Sequence, residues 1–160
     1  MNSEITINAL RAIRRILRAA DLNGRRLSNA TGLTPSQLMV LQEIERRGET
    51  TPSRIAAALQ FGQATVTNIV DRLVAGGLMI RQRDERDKRQ MILRITSEGR
   101  DVLLQAPDLL QQRFSTRFEE LPAWERAMIL AALERLSELL EAEDIDAAPL
   151  IDTGVIDRSG

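Results

Sequence analysis

Two short runs of this sequence carry side chains suited to reading a polyanion. In the first, Gln63-Ala64-Thr65-Val66-Thr67-Asn68-Ile69-Val70-Asp71-Arg72-Leu73, the apolar residues Val66, Ile69, Val70 and Leu73 recur at helical spacing. With those turned inward, Gln63, Ala64, Thr65, Thr67, Asn68 and Arg72 lie on or near the outward arc. Asn and Gln amides pair bidentately with adenine, and a Thr methyl or an Ala can touch a thymine methyl. Gln63 stands at the N-terminal end, where base-contacting residues of a reading helix usually lie. The second run, Asp84-Glu85-Arg86-Asp87-Lys88-Arg89, is a charged hairpin tip. Arg86, Lys88 and Arg89 suit a phosphate rail or a narrow groove. Asp87 is placed to brace the Arg89 guanidinium by a bidentate ion pair. Either run alone also reads as an ordinary solvated face; it is their succession that favours DNA.

The elements around these runs have clear punctuation. Residues 4–30 read as a long helix with Ile5, Ala9, Ala12, Ile13, Ile16, Leu17, Ala20 and Leu27 near one stripe, weakened at Gly24 and stopped at Gly32. Thr34-Pro35-Ser36-Gln37 offers a capping Thr, a first-turn Pro and a Gln able to close a capping box. Leu38, Leu41 and Ile44 follow on one face of this second helix, which Gly48 ends. Thr51-Pro52 opens a short third helix, broken by Phe61-Gly62. The fourth, Gln63 to Ala75, is stopped by Gly76-Gly77. The period then switches, and Leu78–Arg83 and Gln90–Ile95 read as two strands. Thr96 can cap a fifth helix that Pro107 should kink or split, and a Leu-rich sixth follows Pro122. The expected fold is mainly α with a small antiparallel β-hairpin wing: a winged helix-turn-helix over 34–97, flanked by helices at 1–33 and 98–142 and an acidic, loosely ordered tail at 143–160.

Composition narrows the chemistry. The chain has 160 residues, with no Cys, His or Tyr. It therefore lacks the thiol and imidazole nucleophiles, the usual zinc ligands and any cysteine redox switch. No cofactor, metal or catalytic residue is expected, and no glycine-rich phosphate loop or paired-carboxylate motif argues for an enzyme. No apolar run approaches the roughly 20 residues that span a bilayer, so no membrane partner is expected and a cytoplasmic location is the default. The net charge of −1 conceals a division: residues 1–100 hold 17 basic and 10 acidic side chains, and residues 101–160 hold 5 and 13. One half can face a polyanion that the other repels.

These runs, with Gly77-Leu78 and Leu93-Arg94-Ile95-Thr96-Ser97-Glu98-Gly99, resemble the core of the MarR family of transcriptional regulators. Thr65–Thr67 and Val70–Leu73 match pieces of the family's recognition helix, and Asp87 and Arg89 match its wing motif. The family often has Ser where this chain has Gly62, and Arg near Gln63 and Asn68; those departures imply a different operator sequence. The resemblance implies a homodimer whose first and last helices interleave with a partner's, binding a pseudo-palindromic operator in double-stranded DNA. It also implies a repressor released by a small anionic or aromatic effector. For such an effector, Arg14, Arg15 and Arg18 can receive a carboxylate, with Phe114 or Trp124 as apolar walls. The competing reading, motivated by the acidic C-terminal third, is a winged-helix module for protein–protein docking.

Overall fold

The computed structural model describes residues 3–142; the acidic tail expected at 143–160 lies outside them. Those residues divide into two units that separate between Pro107 and Asp108.

In the first unit, α1 (Glu4–Thr31) begins at Ser3, whose hydroxyl accepts the Thr6 N–H at 3.2 Å. It runs through Gly24 and ends at Gly32, where φ is 73°. Only Asn23, Gly24 and Leu27 of this helix are buried. The capping box of α2 (Pro35–Arg47) is complete: the Thr34 hydroxyl accepts the Gln37 N–H at 3.3 Å, and Gln37 Oε1 accepts the Thr34 N–H at 3.0 Å. Thr51 caps α3 (Pro52–Leu59) by accepting the Arg54 N–H at 3.3 Å. That helix stops at Gln60 in the left-handed region, with φ 56°, and the chain turns directly into α4 (Gln63–Ala75). Such a conformation disfavours a Cβ, so tertiary packing holds it; the neighbouring Phe61 is buried.

Strands β1 (Met79–Arg83) and β2 (Met91–Ile95) pair antiparallel, Met79 opposite Ile95 and Arg83 opposite Met91. A third backbone segment joins them. Thr50, between α2 and α3, forms a bridge to Leu93, donating its N–H at 3.3 Å and accepting the Leu93 N–H at 2.8 Å. The base of the wing is thus tied to the helix pair. Leu38, Leu41, Ile44, Ile55, Val66, Val70, Leu73, Met79 and Leu93 are essentially inaccessible and form the core between α2, α3, α4 and the hairpin. Each such side chain contributes about 1.5–3 kcal/mol on burial. Thr96 then caps α5 (Ser97–Gln105), accepting the Gly99 N–H at 3.0 Å.

The Pro107 region splits the expected fifth helix in two. In the second unit, α6 (Leu110–Glu119) restarts after Leu109, whose N–H donates to Gln112 Oε1 at 3.1 Å, and α7 (Ala123–Leu139) follows Pro122. Neither α6 nor α7 has a buried residue. Phe114 and Phe118 stack with ring centroids 5.0 Å apart. Among the described residues, no helix is long and apolar enough to cross a membrane.

Candidate nucleic-acid interface

Helix α4 is two-faced in the way its sequence requires. Val66, Ile69, Val70 and Leu73 are buried. Gln63, Ala64, Thr67, Asn68 and Arg72 are exposed, and Thr65 is half-buried. The geometric condition for a reading helix is met: a narrow polar ridge, anchored from behind by four apolar side chains. The Thr67 hydroxyl donates back to the Gln63 carbonyl at 2.9 Å. Gly62 precedes the helix without a side-chain cap, unlike Thr34 before α2 and Thr51 before α3.

The wing tip is stiffened by its acidic residues acting on the backbone. Asp84 Oδ1 accepts the Arg86 N–H at 2.8 Å, and Asp87 Oδ1 accepts the Arg89 N–H at 3.1 Å. Asp87 Oδ2 also receives the Gln90 side-chain amide at 3.3 Å, while the Gln90 N–H donates to the Asp87 carbonyl at 2.8 Å. This corrects the expected Asp87–Arg89 guanidinium pair. Asp87 braces Arg89 through the main chain, because residues two apart in a tight turn present the N–H, not the long side chain, to the carboxylate. Arg86, Lys88 and Arg89 remain exposed, with no ion pair to another described residue. Three cations are thus presented on a loop held by its own hydrogen bonds.

The base of the wing carries ion pairs that the sequence does not announce. Arg81 on β1 meets Asp71 on α4 at 2.7 Å. Arg94 on β2 meets Glu49 at 2.6 Å and donates to Gln82 at 3.4 Å. Arg100 meets Glu45 at 3.1 Å. On α2, Arg46 and Arg47 both donate to Glu43, whose side chain is 11% exposed. The Arg46 bond leads the causes that hold the Glu43 carboxyl down at about 2. Joining residues 10 to 55 apart, the three longer-range pairs have no periodic signature by which to find them.

The residues expected to receive an effector stand on different units. Arg14, Arg15 and Arg18 are exposed on α1, and Phe114 is half exposed on α6. The groove along α6 is lined by Asp108, Gln112, Arg113, Thr116 and Arg117. Trp124 is 67% exposed. Among the described residues no cluster of acidic side chains is arranged to hold a metal ion.

Comparison with known proteins agrees with this geometry. The MarR family model matches residues 31–90, the span from the end of α1 through the wing tip. The HTH-type transcriptional repressor MdtR of Bacillus subtilis (strain 168) is 31% identical over 118 residues, covering 72% of this chain and 66% of that protein. The uncharacterized HTH-type regulator YkoM of the same organism is 24% identical over 132 residues, 82% of this chain and 86% of its own. Among solved structures, a MepR-like protein complexed with pseudoligands superposes with a TM-score of 0.61 at 25% identity, covering 88% of this chain and 97% of the other. The regulator BldR from Sulfolobus solfataricus gives 0.55 at 26% identity, over 88% and 99%. A mutant of MarR from E. coli complexed with operator DNA shares the fold, with a TM-score of 0.52 at 24% identity over 81% and 96%. With a helix backed by four buried apolar side chains, an arginine-tipped wing and these relatives, the chain belongs to the MarR family of DNA-binding, winged-helix transcriptional regulators.

Proposed function

We propose that the chain acts as a homodimeric, sequence-specific repressor of nearby genes. In this reading α4 lies in the major groove, where Gln63, Ala64, Thr65, Thr67, Asn68 and Arg72 meet base edges and flanking phosphates. Arg86, Lys88 and Arg89 meet the adjacent minor groove or phosphates, held by Asp87. The observation that carries it is the pairing of two exposed features on one rigid core: the polar ridge of α4 and the unpaired cations of the wing tip. The repressor sense follows MdtR, which bears that description. A cytoplasmic location follows from a chromosomal target.

Two-fold assembly is supported by apolar side chains that neither unit covers. On α1, Ile5, Ile16 and Leu17 are 81%, 58% and 54% exposed. On α7, Trp124, Met128, Leu130 and Leu139 are 67%, 57%, 55% and 67% exposed. Patches of this kind are rare on monomers, and a second copy with the same faces covers them symmetrically. Helices α1, α6 and α7 are the dimerisation elements in this reading, and two reading heads meet a pseudo-palindromic site. Release by a small anionic or aromatic effector, with Arg14, Arg15 and Arg18 as the groups that receive a carboxylate, completes the proposal; the MepR-like neighbour was solved with pseudoligands.

The test begins with duplexes selected from a random library by the full chain, followed by titration at several salt concentrations. Log affinity should fall linearly with log salt as phosphate contacts release counterions. Arg89→Ala should weaken binding to the selected duplex by about 1–3 kcal/mol and reduce the salt slope by about one. Unchanged affinity removes the wing from the account. Failure to enrich any duplex, with capture of a protein partner instead, turns the reading to the docking module.

A further inference from the structure

We infer that Asp71 and Arg81 are positioning residues whose ion pair sets the register between reading helix and wing. The inference rests on α4 and the wing being the DNA-contacting elements. Asp71 stands four residues after Thr67 and three after Asn68, so it continues their stripe toward the C-terminal end of α4. It is an acidic group on the face that meets a polyanion. An unpaired carboxylate there repels phosphate and weakens binding.

Strand alternation explains its partner. Arg81 shares the side of β1 that carries the buried Met79, and its cross-strand neighbour Leu93 is buried as well. Its side chain is therefore directed back toward α4 and not away from the core. There its Nη1 meets Asp71 Oδ1 at 2.7 Å. The pair is half exposed, with side-chain accessibilities of 38% and 51%. It has two consequences. It neutralises the one carboxylate on the reading stripe, and it fixes the first strand of the wing to the helix edge beside the bases. The tip beyond carries its own stiffening hydrogen bonds at Asp84 and Asp87, so tip and helix move together only as well as the base of β1 is held.

The opposing account makes Arg81 a phosphate ligand and Asp71 a bystander. The two accounts differ in sign. If Asp71 only adds repulsion, Asp71→Asn tightens binding. If the pair sets the register, the same change loosens it. The experiment uses the full chain and a labelled duplex selected from a random library by the native protein, with an unselected duplex of equal length as comparator. Asp71→Asn is expected to weaken binding to the selected duplex by about 3- to 30-fold, within the range of measured pair couplings, and to leave the unselected duplex nearly unchanged. Asp71→Glu, which keeps the carboxylate, should restore most of the loss. In the Arg81→Gln background, Asp71→Asn should add nothing further, and neither variant should change the salt slope. Were Arg81 instead bound to a phosphate, its replacement would lower the magnitude of that slope by about 0.9.

Native or tighter binding by Asp71→Asn overturns the inference, as does additivity of the two substitutions, an equal loss on both duplexes or a reduced slope for Arg81→Gln. A native chain that enriches no duplex overturns the DNA-reading proposal itself, and the inference with it. Enrichment by the native chain with an unaffected Asp71→Asn variant overturns the inference alone. Both positions are surface-exposed, and matching thermal melts for Asp71→Asn and Asp71→Glu establish that a difference between them is one of binding.

Discussion

Replacing Gly99 by Ala should unseat the start of α5 and with it the base of the wing. A Cβ at Gly99 would stand 2.1 Å from the Leu78 carbonyl oxygen, 3.1 Å from its carbonyl carbon and 2.6 Å from Ile95 Cγ1. Ordinary van der Waals separation begins near 3.4 Å, so α5 and the Leu78 backbone must part by about 1.3 Å. Leu78 is poorly placed to yield. Its N–H donates to the Leu73 carbonyl at 3.0 Å, and its carbonyl accepts the Thr96 N–H at 3.1 Å. The Thr96 hydroxyl both donates to the Gly77 carbonyl at 2.7 Å and accepts the Gly99 N–H at 3.0 Å. Moving α5 strains this whole knot. Overpacking costs about 1–3 kcal/mol, and loss of the Thr96 cap and one backbone hydrogen bond about 1 kcal/mol each. Better helix propensity returns at most about 1 kcal/mol. The net expectation is about 2–4 kcal/mol of destabilisation, read from denaturant unfolding followed by circular dichroism. Gly32→Ala is the control. Its left-handed backbone, φ 73°, makes it strained, yet nothing lies within 4 Å of the added methyl, so about 1 kcal/mol is expected. If Gly99→Ala costs no more than Gly32→Ala, crowding against Leu78 is not what selects glycine at 99.

Asn68→Ala should relax base preference at one operator position by about 1–3 kcal/mol of discrimination while leaving the salt slope unchanged, as measured by competition between single-base variants of a selected duplex. Glu43→Gln should destabilise the chain by about 1 kcal/mol at neutral pH. Because the folded carboxyl titrates at about 2 against 4.5 ordinarily, that contribution is complete above pH 4.5 and disappears as pH falls toward 2, so native and variant unfolding curves should converge across that window. Substituting Leu130 and Leu133 of α7, which are 55% and 43% exposed, by Ser should shift the chain toward monomer in sedimentation experiments without loss of helix content. A dimer unaffected by those changes would place the assembly face elsewhere.

What can be read from the sequence is local. Thr34 with Gln37, Thr51 and Thr96 each signal a helix start, because capping is decided within four residues. The faces of α4 follow from its 3.6-residue period, and the hairpin from its change to a period of two. Legibility ends where an interaction joins elements of different period. No rule of spacing links Asp71 on a helix to Arg81 on a strand, or Glu49 to Arg94. The Thr50 bridge escapes a reading of pattern because a single paired residue has no alternation to reveal it. Asp87 is legible as a brace, but its role runs through the Arg89 main chain, a geometry set by the turn and not by side-chain identity. The stripe on α1 is visible in the sequence, yet most of that helix stays uncovered in the single chain.

The Thr50–Leu93 hydrogen bonds have a consequence for how such a molecule can diversify. The connection between α2 and α3 spans only residues 48–51, and its midpoint is stitched to β2. A residue inserted there must either unpick the stitch or drag the hairpin out of alignment, so tolerance of length change is lowest at that spot. At the far end of the same hairpin, the segment near Glu85 has no such tether to another element. Natural or engineered lengthening should therefore accumulate at the outer loop while the hem beneath it keeps a constant count, letting reach toward a target vary without disturbing the footing from which it extends.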